Sequence, residues 1–124
     1  MSIPILKQGC VLIACVQAAA TDQDLIQLKD ELTDKVGQLR SRGVVIDVST
    51  LDVMDSFATR TLRGIAQATK LRGAEVVIVG IQPDIAFAMV QLGLSLDGIA
   101  TALDLEEGLE LVSARMSEDV DNAT

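Results

Sequence analysis

The feature that most constrains the fold is a pattern that occurs twice. Residues 40–48 read RSRGVVIDV and residues 70–79 read KLRGAEVVIV. In both, a basic segment precedes a glycine, and a run rich in β-branched residues follows. Glycine commonly ends a helix because it readily takes the left-handed conformation, and an unbroken apolar run of this length is typical of a strand buried on both faces. The pattern therefore predicts helix–strand units and a mostly parallel sheet.

The rest of the chain supplies the other elements. Apolar runs at residues 3–7 and 10–17, separated by Gln8 and Gly9, predict an antiparallel hairpin. Thr21 with Asp24 predicts the start of a first helix, which ends at Gly43. The remaining predicted elements are a strand at 44–48, a helix at 56–71, a strand at 75–81, a helix from Pro83 to Gly93, a short strand at 98–102 and a helix from Asp104 to about Met116.

These elements predict an α/β fold. It is a single domain with a mixed, mostly parallel sheet, an N-terminal antiparallel hairpin and about four helices. We expect the domain to occupy residues 1–116. Residues 117–124, SEDVDNAT, contain acids and no base, and we expect them to form an acidic, poorly ordered tail.

Composition excludes several partners. The net charge is −8, and the ten Lys and Arg residues are dispersed, whereas nucleic acid and anionic membranes require clustered bases. Hydrophobic residues make up 49% of the chain, yet Phe57 and Phe87 are its only aromatic residues, so the core must be aliphatic. That much apolar surface on a small domain also indicates self-association.

The chain contains no histidine, which removes Ser-His-Asp and Cys-His catalysis and histidine metal sites. Its two cysteines, Cys10 and Cys15, are separated so that they lie on opposite faces of one predicted strand. We expect them to be core residues and free thiols, in keeping with a reducing, cytoplasmic compartment.

The candidate site is the loop between Asp47 and Ser56, since function in such sheets usually lies beyond the carboxyl ends of the strands. Asp52 and Asp55 are in the same loop. From the residues alone, Asp55 or Ser56 is best explained as a helix N-cap. A serine at this position can also be a hydroxyl that a kinase modifies. A catalytic carboxylate pair lacks a visible proton partner, and a phosphate-binding glycine loop is missing.

Four segments, however, resemble those of a known family. GVVIDVSTLDVMDSFATR, at residues 43–60, resembles the phosphoacceptor region of STAS domains, the fold of anti-sigma-factor antagonists. IPILKQGCVLIACVQ, GAEVVIVGIQPDIAFAMVQLG and IATALDLEEGLE extend the resemblance over nearly the whole chain. Taken together they are most similar to the small stressosome scaffold subunit, the RsbS type.

The resemblance implies a function. The serine of the Asp-Ser-Phe triplet, here Ser56, would be the phosphoacceptor, with Asp55, Phe57 and Arg60 as candidate partner-binding residues. The protein would be a non-enzymatic scaffold without cofactor or metal. It would assemble with STAS-containing sensor paralogues, sequester a switch-type serine kinase and release it on phosphorylation, and a cognate phosphatase would reset it. The resemblance assigns no role to the neighbouring threonines.

Two alternatives stay open. The protein can be a simple anti-anti-sigma factor that binds an anti-sigma kinase directly, without a large assembly. It can also be a small nucleotide-binding protein or enzyme that uses the loop between Asp47 and Ser56. Particle size separates the first alternative from the scaffold, and nucleotide-binding calorimetry tests the second.

Overall fold

The computed structural model describes residues 3–96 and 98–122, with the side chains of 118–122 excepted. The elements along this part of the chain are β1 (Ile5–Gln8), β2 (Val11–Cys15), α1 (Asp22–Leu39), β3 (Gly43–Asp47), α2 (Ser56–Leu71), β4 (Glu75–Val79), α3 (Pro83–Gln91), β5 (Ala100–Ala102) and α4 (Leu105–Asn122).

The strands form one sheet in the order β1-β2-β3-β4-β5. β1 is antiparallel to β2, and every later neighbouring pair is parallel. The register aligns Val11 with Gly43, and Gly43 with Glu75, so the central strands start and end together. The predicted α/β fold, with its antiparallel hairpin and mostly parallel sheet, is confirmed.

The sheet buries both faces, because alternate residues of each strand point in opposite directions. Val44 belongs to the core on one face, together with Leu32 of α1 and Ile65 of α2. Val45 belongs to the core on the other face, where α4 contributes Val112. This two-sided burial explains why the central strands read as continuous apolar runs.

Element boundaries differ from the predicted ones in several places. The hairpin strands and β4 are each shorter at one or both ends, and β5 begins at Ala100. The first helix was predicted to end at Gly43, which is wrong, since α1 ends at Leu39, its left-handed C-cap is Arg40 and Gly43 is the first residue of β3. The last helix was predicted to end at about Met116, which is wrong, since α4 continues through Asn122. The backbone of residues 117–122 is therefore helical. The division into a domain at 1–116 and an acidic tail stays a prediction.

The core prediction is wrong for Cys10, whereas Cys15 packs against the core that contains Val45 and Val112. Cys10 is exposed, because it lies with Gly9 in the turn between β1 and β2. Cys15 ends β2 and is half-buried. Within the described residues, no helix has both the length and the apolarity to cross a bilayer.

Candidate functional site

The loop at residues 49–55 begins at the carboxyl end of β3, and its first residues are tied to neighbouring strands. Asp47 accepts a hydrogen bond on Oδ1 from the backbone N–H of Ser49 at 2.9 Å. The hydroxyl of Thr50 donates to the carbonyl oxygen of Val16, at the end of β2, at 3.1 Å. The parallel register places β2 and β3 side by side, and this makes the second contact possible.

Apolar side chains anchor the middle of the loop. Leu51 and Met54 are 8% and 6% exposed and join the core beneath α1 and α2. Between them, Asp52 is exposed and Val53 is 75% exposed. Leu51 and Met54 therefore hold this segment at both ends, and Asp52 and Val53 between them face solvent.

Asp55 is the N-cap of α2. Its backbone is extended, and its Oδ1 accepts a hydrogen bond from the N–H of Ala58 at 2.8 Å. Ser56 is the first residue of the helix, and its side chain is exposed. The sequence left open whether Asp55 or Ser56 caps the helix, and the structure assigns the cap to Asp55. The hydroxyl of Ser56 therefore does not cap α2.

The two threonines that follow differ in accessibility. Thr59 is completely buried, and its hydroxyl donates to the carbonyl oxygen of Asp55 at 2.9 Å. An enzyme cannot reach that hydroxyl while α2 is folded. Thr61 is half-buried on the side of α2 that faces α1.

The segment between β4 and α3 supports the start of the loop. Gly80 has a φ of +82°, and a Cβ placed there would lie 2.7 Å from the Cβ of Ser49. Two residues later, Gln82 donates from Nε2 to the carbonyl oxygen of Ser49 at 2.8 Å. The loop therefore rests directly on the backbone that leads into α3.

A groove of about 400 Å³ lies between α1 and α2, next to Ser56. Its lining combines apolar side chains with two bases: Ile26, Lys29, Phe57, Arg60, Thr61 and Gly64. The groove brings together Phe57 and Arg60, two of the residues that the sequence singled out, whereas Asp55 lines a different depression. We call this feature the α1–α2 groove.

That second depression, of about 180 Å³, lies between the start of α1 and the loop. Its lining is apolar apart from two acids, Asp22 and Asp55. Carboxylates repel nucleotide phosphates, so this crevice is unsuited to a nucleotide. Within the described residues, no three acidic or cysteine side chains come together as metal ligands.

The half-buried thiol beside the loop is kept protonated by its surroundings. Burial, and then the negative charge of Asp47, raise the pKa of Cys15 above the ordinary value of 9.0. Cys15 and Asp47 are register partners on β2 and β3. A thiol in this state is a poor nucleophile, because the thiolate is the reactive form.

Comparison with known proteins assigns this architecture to a family. The model of the STAS domain matches residues 7–108. The chain belongs to the STAS domain family. A solved structure of RsbS from Moorella thermoacetica, in a serine-to-glutamate variant, is 37% identical, with a TM-score of 0.79, and the match covers 91% of this chain and 96% of that one. This STAS domain is of the RsbS type.

Two further comparisons agree. A chain from a structure of the stressosome, described as a signal integration and transduction hub, is 38% identical with a TM-score of 0.78, and the match covers 90% of this chain and 97% of that one. The RsbT co-antagonist protein RsbRA of Bacillus subtilis is 30% identical over 84 residues, or 68% of this chain. The STAS chain spans 31% of the length of RsbRA.

Some residues around the loop at residues 49–55 and the α1–α2 groove were not predicted from the sequence. Ile26 and Lys29 were overlooked because they lie off the buried stripe of α1, although an isoleucine outside that stripe was itself a signal. Gln82 was noticed only as part of the GIQP segment. Its contact with Ser49 joins residues far apart in the sequence, and no local pattern reports such a contact.

Proposed function

We propose that this protein is a non-enzymatic scaffold and regulatory subunit of a stressosome-like complex. It binds a switch-type serine kinase and releases it when Ser56 is phosphorylated, and release starts a stress-response signalling cascade in the cytoplasm. A cognate phosphatase restores the hydroxyl. The kinase supplies the ATP chemistry, and this chain supplies the acceptor and the docking surface.

One observation carries the proposal: Ser56 is exposed at the first position of α2, while Asp55 performs the capping. Serine at a helix start is usually retained as a cap. Here the Ser56 hydroxyl does not serve as the cap, and it lies directly after a loop that Leu51 and Met54 anchor in the core. An anchored loop with an accessible hydroxyl suits a protein kinase substrate.

The electrostatics favour a switch that keeps the fold intact. A phosphate on Ser56 adds about −1.5 to −2 charges near neutral pH. The N-terminus of α2 favours that charge, and Arg60 lies one turn further along the same helix. Asp52 and Asp55 oppose it. The surface therefore changes its charge, whereas the buried contacts below the loop stay in place.

Assembly is supported by apolar side chains that the fold leaves in solvent. Leu71, Phe87, Val90, Leu92 and Leu103 are each more than half exposed. Phe87 and Val90 are three residues apart on α3 and share one face of that helix, and a contiguous exposed apolar face usually marks contact with another protein. Together with the relatives from the stressosome, it supports self-association with STAS-containing paralogues.

The proposal is tested by intact-mass analysis after incubation with ATP and the switch-type serine kinase encoded in the same genome. We expect one added phosphate on the wild type and none on Ser56→Ala. Ser49→Ala, which removes another exposed loop serine, is the matched control and should still be modified. An unmodified wild type, with a kinase shown to be active on another substrate, contradicts the proposal.

Particle size separates the scaffold from the simple anti-anti-sigma factor. Mixed with a STAS-containing paralogue, the scaffold should enter a particle of megadalton size in sedimentation velocity. A monomer or a small complex with the kinase alone would instead favour the anti-anti-sigma factor.

A further inference from the structure

We propose that the α1–α2 groove holds an acidic, partly apolar segment of the serine kinase, and that phosphorylation of Ser56 withdraws Arg60 from that segment. The inference rests on the proposed function, because it names the partner segment and the release mechanism of the same site. It concerns the groove lined by Ile26, Lys29, Phe57, Arg60, Thr61 and Gly64.

The charge of the groove identifies its occupant. Among the described residues that line it, Lys29 and Arg60 are the charged ones, and both are basic. The whole chain has 18 acids against 10 bases, so a purely cationic lining runs against the overall charge. Ile26 is 38% exposed and Phe57 is half-buried, so the floor is apolar. Such a groove is complementary to a segment that carries carboxylates beside an apolar side chain.

Arg60 lines the groove and also lies one turn from the acceptor Ser56 on α2. Each residue of a helix advances by about 100°, so Arg60 is turned by about 40° from Ser56 and by about 40° from Gly64. Ser56 and Gly64 are thus one turn before and one turn after it. Arg60 is exposed, and within the described part of the chain it forms no ion pair within 4.0 Å. Its guanidinium can therefore turn to either neighbour.

A phosphate on Ser56 and a carboxylate of the kinase segment would compete for the guanidinium of Arg60. Arginine binds carboxylates and phosphates with paired hydrogen bonds, and the phosphate carries more charge than a single carboxylate. A phosphate on Ser56 is therefore the more highly charged acceptor, and it lies one turn from Arg60 on the same helix. Once Arg60 has turned to the phosphate, Lys29 alone faces the kinase segment, and the added negative charge repels that segment.

Calorimetry with the full chain and the kinase tests this competition. It compares the affinity of the wild type and of Arg60→Gln, each with and without a phosphate on Ser56. Arg60→Gln should weaken binding of the unphosphorylated protein by about tenfold or more, as expected for a hydrogen bond between charged groups. Phosphorylation should weaken the wild type strongly and should weaken Arg60→Gln much less. Lys7→Gln makes the same charge change on the exposed edge strand β1 and should bind like the wild type.

A second variant tests the groove without changing its charge. A Cβ at Gly64 would meet no atom within 4 Å, so a side chain there starts in open space, and Gly64→Leu extends it into the groove that Gly64 lines. We expect Gly64→Leu to unfold no more easily than the wild type, since glycine is a poor helix former, and yet to bind the kinase several-fold more weakly.

The outcomes are distinct. Binding of Arg60→Gln and Gly64→Leu with wild-type affinity overturns this inference and leaves the proposed function standing. An equal effect of phosphorylation on the wild type and on Arg60→Gln also overturns it. If Gly64→Leu instead abolishes concentration-dependent self-association in the absence of the kinase, the groove belongs to a second copy and the inference is wrong. A wild type that neither binds the kinase nor accepts phosphate overturns the proposed function as well.

Discussion

The side chain of Gln82 donates a hydrogen bond from Nε2 to the backbone carbonyl oxygen of Ser49, at 2.8 Å. Gln82 is also the N-cap residue of α3, and its side chain makes no capping hydrogen bond there. The side chain of Gln82 is thus directed to the loop at residues 49–55 rather than to the N-terminus of α3. This contact ties the start of the loop at residues 49–55 to the start of α3.

Removal of this tie should loosen the loop. Gln82→Ala should lower the free energy of unfolding by about 1 kcal/mol, the usual net value of one hydrogen bond. Amide hydrogen exchange at Ser49 and Leu51 should become faster. Gln38→Ala, which shortens an exposed glutamine of α1, is the control. Equal exchange in the two variants would show that the hydrogen bond does not hold the loop.

Gly80 should tolerate a side chain less well than another glycine with similar backbone geometry. Gly93 has a φ of +70°, and a Cβ there would meet nothing within 4 Å, so Gly93→Ala should cost only the left-handed penalty of about 1–2 kcal/mol. Gly80→Ala adds the collision with Ser49 and should cost more. Urea unfolding of both variants measures the difference, and an equal loss would mean that Ser49 moves away without resistance.

Substitutions of Asp55 and Ser56 should separate the capping of α2 from the phosphoacceptor role. Asp55→Ala should destabilise the protein by about 0.5–2 kcal/mol, because the N–H of Ala58 loses its acceptor. Ser56→Ala should change stability by less than about 0.5 kcal/mol, as for other exposed positions. Asp55→Asn keeps an oxygen acceptor and should remain close to the wild type. Thermal unfolding of the three variants is the measurement, and a large loss in Ser56→Ala would argue for a capping serine.

The two thiols should react at different rates. Cys10 is exposed in a turn, whereas burial and Asp47 raise the pKa of Cys15. A thiol-specific reagent at neutral pH should therefore modify Cys10 first, since a raised pKa leaves less thiolate. Mass spectrometry over time should show one fast addition in the wild type. Cys10→Ser should retain only the slow one, and a fast addition in that variant would contradict the assignment.

The capping box of α1 should contribute to the pH dependence of stability. The backbone N–H of Thr21 donates to Oδ2 of Asp24 at 2.9 Å and holds the pKa of that carboxyl below its ordinary value of 3.8. A lowered pKa in the folded state means that the carboxylate stabilises the protein fully above pH 3.8. That contribution is lost as the pH falls through the lowered value.

Unfolding measured across acidic pH checks this effect. Asp24→Asn should lose less stability on acidification than the wild type, because it has no carboxylate to protonate. Asp22→Asn removes an exposed acid from the same turn and serves as the control. Parallel curves for the wild type and Asp24→Asn would show that the capping box does not respond to pH in this range.

Local sequence patterns predicted most of the fold. The glycine that precedes each apolar run identified β3 and β4, and Thr21 with Asp24 identified the start of α1, where the structure has a capping box. The strand and N-cap predictions succeeded because strand periodicity and caps are local features. The predicted glycine end of a helix holds for α2, where Gly73 has a φ of +96°, but not for α1, whose left-handed C-cap is Arg40. Cys10 was misplaced because an apolar run does not show which of its residues forms the turn.

The sequence by itself determined the order of the elements, the position of the loop between β3 and α2, and the presence of a serine at the start of that helix. The tertiary structure alone decided that Asp55 caps α2, that Gln82 reaches Ser49, and that Lys29 joins Arg60 in one groove. The physical reason is the range of the interactions. Helix and strand signals arise from near neighbours, whereas a groove between two helices depends on how their buried faces pack against the same sheet.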